Sequence, residues 1–496
     1  MKLLFVVPEY WREPVGGIRT FYVNLLPTLA RAGFQVKVLL SRREFSGKNG
    51  FVDESGVEVE YVRADLLEKH DRVYQESQFA GNWLMGQFVP VANAAFEQAN
   101  GGEGFDLVEV TDWPMLFIPW VAQRQAMVPF TISLHSSVGQ MVEYEAKRDS
   151  GQLDYALVRM FEALGFAAAQ SIHANSDLNA RYWEKITNRK VDVLLPLMSK
   201  SNLTTDNTDE HGWGKRSVAP REPGLALSSQ KPFTSELARD SENKSLTLPA
   251  IGPASLPATS YQLPATPRLR GAVFARLQNL KGCEILAEAL AECPGIEIHW
   301  YGGDMGNNAE SCMWSESLAR KFPHVFGQNF IYHGVVEPSC VPDLMAEVDF
   351  VCVPSLWDVF NLSAVEAMET GKVVLCSRQA GAEMLIEDGV NGFLFEPNHP
   401  GELVEKLKQI ACLSVEDRER IGRFARQSVR EKLQPERLVQ QRIGYYRSVA
   451  AEKPEENRNC FLADILEPKP VAVKTWGRRI YELRRKIRIR YLKPRK

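Results

Sequence analysis

The fold can be inferred from residues 354–371, which read Pro354-Ser355-Leu356-Trp357-Asp358-Val359-Phe360-Asn361-Leu362-Ser363-Ala364-Val365-Glu366-Ala367-Met368-Glu369-Thr370-Gly371. A continuous apolar run, Phe350-Val351-Cys352-Val353, precedes it and predicts a buried parallel strand. Asn361 or Ser363 can cap a helix after the loop, and Gly371 can end that helix. A second apolar run, Val373-Val374-Leu375-Cys376, follows at once, so the segment predicts one βαβ unit.

The loop and helix of this unit carry two candidate acids. Free backbone N–H groups at the start of the helix, beside the carboxyl end of a strand, make an anion site that suits phosphate. Glu366 lies about one turn into the helix, so Asp358 and Glu366 could face a single ligand. The two acids alone leave a second interpretation open, in which Asp358 is a surface acid in a loop and Glu366 is a solvated acid on a helix.

The composition is that of an ordinary soluble globular protein. The chain has 496 residues, 45% of them hydrophobic and 24% charged, which is enough for two large domains. No apolar run approaches the ~18 residues that span a bilayer, and the apolar start of the chain is too short for a signal peptide. The eight cysteines form no C-x-x-C pair and all follow residue 280, which predicts reduced thiols in a cytoplasmic protein and no zinc site.

Apolar runs alternate with helical patterns along two parts of the chain. Residues 1–198 and 269–450 are each predicted to form an α/β domain with a doubly wound parallel sheet. Between them, residues 199–268 are dominated by Ser, Thr, Pro, Asn and Gly, which predicts a largely disordered insert or linker. The predicted strands are 3–7, 36–40, 57–62, 107–110, 130–134, 171–174, 191–195, 271–275, 296–300, 330–334, 350–353 and 373–376.

Three strand ends in the first half carry candidate ligand-binding residues. Gly16 and Gly17 follow the first strand and begin a helix, where adjacent glycines let a ligand approach the backbone closely. They do not form the G-x-G-x-x-G pattern, which argues against a dehydrogenase. His135 lies at the carboxyl end of a strand, although a lone histidine is more often a structural turn residue. Asp112 and Trp113 end a third strand, and they either line an acceptor site or pack the domain face.

The second half adds two cations and a glycine pair. Arg276 follows the strand 271–275, and Lys281 comes five residues later, before a helix. An arginine can grip oxygens bidentately and a lysine supplies a point charge, so the pair suits a diphosphate; the alternative is two solvated surface charges. Gly302 and Gly303, which end the strand 296–300, could allow close approach of a nucleotide.

The series Pro-Ser, an acid, seven residues, Glu-Ala-Met and Gly resembles the signature of the retaining glycosyltransferases of the GT-B fold, family four. The resemblance covers residues 1–198 and 269–450, and it implies two Rossmann-like domains that face each other across a cleft. It implies that Glu366 holds the ribose of a sugar nucleotide, and that the loop before the helix meets the sugar and the diphosphate. The resulting donor-binding set is Gly16, Gly17, Arg276, Lys281, Gly302, Phe360, Asn361, Leu362 and Glu366, and the expected catalytic residues are His135 and Asp358.

Two positions and one downstream segment depart from the family pattern. Asp358 stands where the family usually has Glu, one methylene longer, which puts the sugar contact in doubt. Asn361 stands where Gly is usual, and Asn is the non-glycine residue that best tolerates a left-handed backbone, so the loop shape can survive. Downstream, Gly381-Ala382-Glu383 is a blurred version of the family's Gly-Gly-x-x-Glu and stays outside the predicted site.

The expected reaction is transfer of a sugar from a nucleotide donor to a hydroxyl of a sugar or lipid-linked acceptor, with retention of the anomeric configuration. The sequence contains no D-x-D pair, and Arg, Lys and helix N-termini can offset the diphosphate charge, so no metal and no other cofactor is expected. Two alternatives stay open: a sugar-nucleotide epimerase or phosphorylase of the same fold, and a non-catalytic binding protein. A nucleic-acid binder is suggested only by the basic tail and is not expected.

The last part of the chain, residues 451–496, is predicted to be a basic amphipathic tail. Residues 471–496 contain eleven Lys or Arg against the single acid Glu482, whereas the whole chain has a net charge of −3. The apolar residues of this segment fall three to four positions apart, at Trp476, Ile480, Leu483, Ile487 and Tyr491. Such a helix suits an anionic membrane surface, as expected for an enzyme of cell-surface polysaccharide or glycolipid assembly. A plain basic tail or a partner-binding helix is the alternative.

Overall fold

The computed structural model describes residues 1–11, 17–123, 126–144, 153–198, 268–307 and 310–452. Gly16, all but the last residue of the segment 199–268, and residues 453–496 lie outside these ranges. The disordered insert and the amphipathic tail helix therefore stay predictions.

An eight-stranded sheet forms the first domain. Its order is β3-β4-β2-β1-β5-β6-β7-β8, and every pairing is parallel except that of β3 with β4. The strands are β1 (Lys2–Val7), β2 (Gln35–Leu40), β3 (Phe51–Val52), β4 (Glu58–Tyr61), β5 (Leu107–Thr111), β6 (Phe130–Leu134), β7 (Ser171–Ala174) and β8 (Asp192–Val193). All seven strands predicted in this half are confirmed. The sequence analysis missed β3, because a two-residue edge strand leaves no apolar period to read.

A six-stranded, all-parallel sheet forms the second domain, in the order β13-β10-β9-β14-β15-β16. Its strands are β9 (Leu269–Phe274), β10 (Ile296–Tyr301), β13 (Phe330–Gly334), β14 (Phe350–Val353), β15 (Val373–Ser377) and β16 (Phe393–Phe395), and a small hairpin pairs β11 (Gly306–Asn307) with β12 (Cys312–Met313). The five predicted strands are confirmed, and β14 is buried along its whole length, as its continuous apolar run requires. The strand β16 and the hairpin were not predicted.

The helices cover the faces of the two sheets. They are α1 (Gly17–Arg31), α2 (Ala64–Glu76), α3 (Trp83–Gln98), α4 (Ile118–Val121), α5 (Val138–Tyr144), α6 (Leu153–Ala168), α7 (Asp177–Thr187), α8 (Cys283–Ala291), α9 (Trp314–Lys321), α10 (Val341–Ala346), α11 (Leu362–Glu369), α12 (Pro400–Ala411), α13 (Val415–Lys432) and α14 (Pro435–Ala451). Among the helices in the described ranges, none is long and apolar enough to cross a bilayer.

Each sheet reverses its strand order next to its first strand. In the first sheet β1 lies between β2 and β5, and in the second sheet β9 lies between β10 and β14. Loops that leave the two central strands diverge at such a point, and the crevice between them is where open α/β sheets bind ligands. The loops after β9 and β14 are the ones that carry most of the predicted donor-binding residues.

The last described helix, α14, returns to the first domain and packs against it through a buried polar network. Glu109, in the middle of β5, accepts hydrogen bonds from the hydroxyls of Tyr22 (2.8 Å) and Tyr446 (2.6 Å). Arg442 of α14 lies 2.9 Å from Nε2 of His173 and also donates to a backbone carbonyl. Both Glu109 and Arg442 are buried; burial raises the pKa of the Glu109 carboxyl, and the charge of Arg442 opposes that rise by favouring the ionised carboxylate.

This network makes a prediction about stability. Arg442→Leu should destabilise the folded chain by about 3–5 kcal/mol, because it leaves the Glu109 charge buried without its compensating cation. The measurement is the free energy of unfolding from a denaturant titration, followed by fluorescence. Arg447→Leu, an exposed position on the same helix, is the matched control and should change stability little. Equal stability of the two variants would contradict this account of the interface.

Candidate active site

The helix α11 begins as the sequence predicts. Asn361 has a left-handed backbone (φ 67°), and its side-chain oxygen accepts a hydrogen bond from the backbone N–H of Ala364 at 2.9 Å. The amide thus replaces the usual glycine and caps the helix at the same time. The hydroxyl of Ser363 donates to the backbone carbonyl of Phe274, which fixes the start of α11 to the end of the neighbouring strand β9.

Asp358 makes its contacts within the second domain. Its Oδ2 atom accepts a hydrogen bond from Nζ of Lys281 at 2.6 Å and another from Nδ2 of Asn361 at 2.8 Å. Its backbone N–H donates to the carbonyl of Gln379, and its backbone carbonyl accepts from Gly381. The predicted catalytic acid and the predicted diphosphate lysine are therefore an ion pair in this structure. The shorter side chain of Asp fits this arrangement, because its carboxylate stays close to the loop.

The two predicted diphosphate cations differ in their surroundings. Lys281 is partly buried and paired with Asp358, and it ends a 3₁₀ turn. Gly282, which follows it, packs so closely that a Cβ atom would lie 1.8 Å from the carbonyl oxygen of Pro354, so this turn is fitted to the loop after β14. Arg276 is exposed and forms no ion pair with any residue in the described ranges. The structure thus offers one restrained cation and one available cation at the same crevice.

Glu366 faces no protein partner among the residues that the structure describes. Burial alone raises the pKa of its carboxyl to about 7. It lies on α11 between the fully buried Val365 and Ala367, one turn beyond Asn361. A half-buried carboxylate without donors is costly for the free protein, and hydroxyl groups of a ligand would supply the missing donors.

The remaining second-domain predictions have packing roles. Gly302 approaches the end of β9 so closely that a Cβ atom would lie 2.0 Å from the carbonyl oxygen of Ala275. This contact accounts for the glycine without a nucleotide. Phe360 is buried in the hydrophobic core and Leu362 packs against that core, so both side chains have packing roles. Any donor contact at these two positions would therefore come from the backbone of the loop.

In the first domain, His135 lies where predicted, at the end of β6, but its ring is buried and both ring nitrogens have partners. Nε2 lies 3.0 Å from Oγ of Ser133 and 3.3 Å from the hydroxyl of Tyr22, and Nδ1 lies 3.1 Å from Nδ2 of Asn175. Burial, together with the charge of Arg442, lowers the pKa of His135 to about 3. The ring is therefore neutral at physiological pH.

Of the other first-domain candidates, Asp112 and Trp113 have structural roles and Gly17 is exposed. The Asp112 carboxylate is fully buried and accepts hydrogen bonds from the backbone N–H groups of Trp113, His135 and Ser136. It therefore holds the turn after β6, which favours the packing interpretation over an acceptor contact. Trp113 packs against Phe88 with ring centroids 5.3 Å apart, also as a packing residue. Gly17 is exposed at the first position of α1, next to the undescribed Gly16.

Helix α7 of the first domain contacts the second domain beside Asp358. The hydroxyl of Ser176, the residue that caps α7, donates to the carbonyl of Val359. The ring of Tyr182 packs 5.5 Å from that of Trp357, and Arg181 lies 3.3 Å from Glu383. The blurred motif around Glu383 thus contributes to the contact between the domains. Helix α7 and its cap thus touch both the loop that contains Asp358 and the turn that contains Glu383.

No group of three or more His, Cys, Asp or Glu side chains in the described ranges is arranged to hold a metal ion. Of the charged groups described above, Asp358 is paired with Lys281, and the Glu9 carboxylate of the first domain interacts electrostatically with Arg276. Phosphate oxygens are the natural ligands for Arg276 and for the free N–H groups of α11.

Two family models match the chain. The model described as a glycosyl transferase 4-like domain matches residues 16–195, and the model of the glycosyl transferases group 1 matches residues 270–412. Together they span well over half of the chain. The protein therefore belongs to the glycosyl transferases of group 1, and its two doubly wound sheets are the two domains of a GT-B fold.

Similar proteins agree with this assignment. The chain is 23% identical over 412 residues to the D-inositol 3-phosphate glycosyltransferase of Mycobacterium tuberculosis, covering 82% of this chain and 73% of the relative. The sucrose-phosphate synthase of Thermosynechococcus elongatus superposes with a TM-score of 0.61 at 16% identity, over 91% of this chain and 99% of that chain. Anabaena HepE, solved in complex with UDP and glucose, gives a TM-score of 0.58 at 18% identity, over 90% of this chain and all of the other. At such identities the structural likeness shows the fold.

Sequence reasoning missed two residues at the crevice, Asn175 and Ser176. Both follow the strand β7, and the rule that ligands bind at strand ends could have drawn attention to them. The segment Ala174-Asn175-Ser176 carries no charge and no glycine pair, so nothing in its composition distinguishes it from an ordinary helix cap. The pairing of Lys281 with Asp358 was missed as well, since the two lie 77 residues apart.

The raised pKa of Glu366 makes a prediction about the free protein. A carboxyl whose pKa is higher in the folded than in the unfolded state favours folding at low pH, and this contribution is lost as pH rises from about 4.5 to about 7. Glu366→Gln should therefore leave stability nearly unchanged at pH 5 and increase it by about 1–3 kcal/mol at pH 8.

The measurement is the unfolding free energy of both proteins at the two pH values. Glu405→Gln, at an exposed position of α12, is the control and should show no pH-dependent difference. A Glu366→Gln variant that is less stable than wild type at pH 8 would show that the carboxylate has a stabilising partner after all.

Proposed function

We propose that this protein transfers a sugar from a nucleotide-sugar donor to a hydroxyl acceptor, with retention of the anomeric configuration. The observation that supports the proposal best is a group of residues at the crevice of the second domain, where β9 lies between β10 and β14. Arg276, Lys281 and the start of α11 provide positive charge and N–H donors at one place, and one turn further along α11 Glu366 provides a carboxylate without protein donors. This grouping matches a diphosphate that is joined to a ribose.

The same grouping gives each residue a role in the reaction. Departure of the nucleoside diphosphate leaves negative charge on the phosphate oxygens, and Arg276, Lys281 and the helix N-terminus stabilise that charge in the transition state. Glu366 accepts hydrogen bonds from the ribose hydroxyls and thereby positions the donor. Because these protein groups can offset the leaving charge, we propose that turnover does not depend on a divalent metal ion.

Asp358 and His135 would act near the transferred sugar in different ways. Asp358 sets the position of Lys281, and diphosphate binding would give Lys281 a second anionic neighbour without removing the first. His135 is neutral and buried, so it contributes polar contacts and shape and does not act as a proton donor at physiological pH. The similar protein HepE has been solved in complex with UDP and with UDP-glucose, which supports a uridine nucleotide sugar as the first donor to test.

We further propose a membrane-associated acceptor, as in polysaccharide or glycolipid assembly. The support is the basic amphipathic segment 471–496, which lies outside the described residues. Deleting this segment should abolish co-sedimentation with vesicles of anionic lipid while leaving binding to neutral vesicles equally low, because the attraction comes from its eleven cations. Equal binding of the full chain and the truncated chain to anionic vesicles would overturn the membrane proposal.

A second candidate function has one observation in its favour. Because Asp358 is paired with Lys281 and Asn361, a non-catalytic protein that only binds a sugar nucleotide would have the same crevice. A sugar-nucleotide epimerase is also compatible with the fold. Product analysis separates the three functions: transfer gives a glycosylated acceptor, epimerisation gives a free altered sugar nucleotide, and a binding protein gives neither.

The direct test measures kcat/KM for UDP-glucose turnover, by hydrolysis or transfer, in buffer that contains a chelator. Arg276→Ala and Lys281→Ala should each lower kcat/KM by a factor equivalent to about 2–4 kcal/mol of transition-state stabilisation. Arg423→Ala, an exposed arginine on α13, is the matched control and should retain wild-type kinetics. Unchanged kinetics in both site variants would refute the diphosphate assignment, and complete loss of activity in chelator that added metal restores would refute metal independence.

A further inference from the structure

The side chain of Asn175 is buried beside His135, and its oxygen atom has an unusual environment. Only 4% of the residue is exposed, its Nδ2 atom lies 3.1 Å from Nδ1 of His135, and its Oδ1 atom is buried with no hydrogen-bond partner among the described residues. A buried carbonyl oxygen without a donor costs free energy, and native proteins keep such groups rarely and usually for a functional reason.

The orientation of the amide follows from the neighbouring hydrogen bonds. The hydroxyls of Tyr22 and Tyr446 both donate to Glu109, Tyr22 at 2.8 Å, so the Tyr22 hydroxyl has no hydrogen left for His135. The oxygen of Tyr22, 3.3 Å from Nε2 of His135, is then free to accept the Nε2 hydrogen, as is Oγ of Ser133. In the neutral ring this leaves Nδ1 as an acceptor, which takes a hydrogen from the Nδ2 group of Asn175. The oxygen of the amide is therefore the atom that is left without a partner.

Asn175 also lies at the right place to meet a donor sugar. Leu134 and Ala174 are partners in the β6–β7 pairing, so His135 and Asn175 leave adjacent strands side by side. The next residue, Ser176, donates its hydroxyl hydrogen to the carbonyl of Val359, the neighbour of Asp358. Asn175 is thus one residue from the contact between the first domain and the loop that is expected to meet the sugar.

The surroundings specify the chemistry of the missing partner. His135 is neutral, and an amide oxygen carries no charge, so this side of the crevice suits an uncharged hydrogen-bond donor. The cations that suit a diphosphate belong to the other domain, at Arg276 and Lys281. A sugar hydroxyl is neutral, can donate to Oδ1 and would be joined to the diphosphate that the second domain holds.

We propose that Oδ1 of Asn175 accepts a hydrogen bond from a hydroxyl group of the transferred sugar, and that His135 acts by orienting the Asn175 amide. The inference rests on the proposed function and makes it more specific, because it assigns recognition of the sugar, as distinct from the nucleotide, to a residue of the first domain. His135 is then a positioning residue, since its two ring nitrogens are already occupied by Asn175, Ser133 and Tyr22.

The test compares UDP with UDP-glucose as ligands of wild type and of Asn175→Leu, by isothermal titration calorimetry. Leucine keeps the volume of the side chain and removes the acceptor. We expect UDP-glucose to bind about tenfold more weakly to the variant, the loss typical of one buried hydrogen bond, and UDP to bind equally well to both proteins. Unchanged UDP binding also shows that the variant is folded at the nucleotide site, and Asn175→Ala should repeat the pattern.

Deoxy donors identify the contact itself. Among the 2-, 3-, 4- and 6-deoxy analogues of UDP-glucose, one should bind wild type about tenfold more weakly than UDP-glucose, and Asn175→Leu should abolish that difference. Arg423→Ala, at the exposed position of α13 already used as a control, should keep the discrimination.

Each outcome decides the proposal. Wild-type affinity of Asn175→Leu for UDP-glucose, or deoxy discrimination that survives the substitution, would overturn the role of Asn175 and leave the proposed function intact. Failure of the wild-type chain to bind UDP or UDP-glucose would overturn the proposed uridine donor and this inference together.

Discussion

The carboxylate of Asp358 fixes the geometry on which the candidate site depends. It joins the turn that ends at Lys281 to the residue that caps α11, Asn361, while the backbone of the same residue pairs with the segment that leads to Gly381. Three chain segments therefore meet at one residue. Because the contact is an ion pair with little exposure, with 17% of the Lys281 side chain and 15% of the Asp358 side chain accessible, water screens it less than a surface pair.

The ion pair with Asp358 restrains Lys281 but not Arg276, so the two cations have different roles. Lys281 is held in place before any ligand arrives, which avoids the entropic cost of ordering a long side chain at the moment of binding. Arg276 remains exposed and can adapt to the ligand. In the proposed complex, the second domain would present charge to the nucleotide, whereas the first domain would present the side chains of His135 and Asn175. Charged and uncharged halves of one ligand would be recognised by different domains, so a complete site requires that the domains stay together.

The contact between the domains is built from residues next to both halves of the site. Ser176 and Tyr182 of the first domain meet Val359 and Trp357, on either side of Asp358. The helix α14 adds a second connection through Arg442, which compensates Glu109, and Glu109 in turn accepts from Tyr22 beside His135. The buried charge that joins the last helix to the first sheet therefore also sets the hydrogen bonds around the histidine.

Much of the fold was predictable, because it depends on local pattern. Continuous apolar runs predicted the parallel strands, and the residues after β14 predicted both the helix α11 and the left-handed conformation of Asn361. Contacts between distant parts of the chain left no such pattern. Tyr446 and Glu109 are 337 residues apart, and the positions of His135 and Asn175 side by side follow from the β6–β7 register. The roles of Gly302 and Phe360 were predicted as ligand contacts, and the structure gives each of them a packing role that no spacing could distinguish.

We infer that one crevice of the second domain holds the nucleotide of a sugar donor, and a crystal structure of the chain with UDP-glucose would show where the donor binds. We expect ribose hydroxyls within hydrogen-bond distance of the Glu366 carboxylate. We also expect diphosphate oxygens within about 4 Å of the side-chain nitrogens of Arg276 and Lys281, which is the range of an ion pair. A donor bound elsewhere, or bound at this crevice with its ribose away from Glu366, would contradict the account.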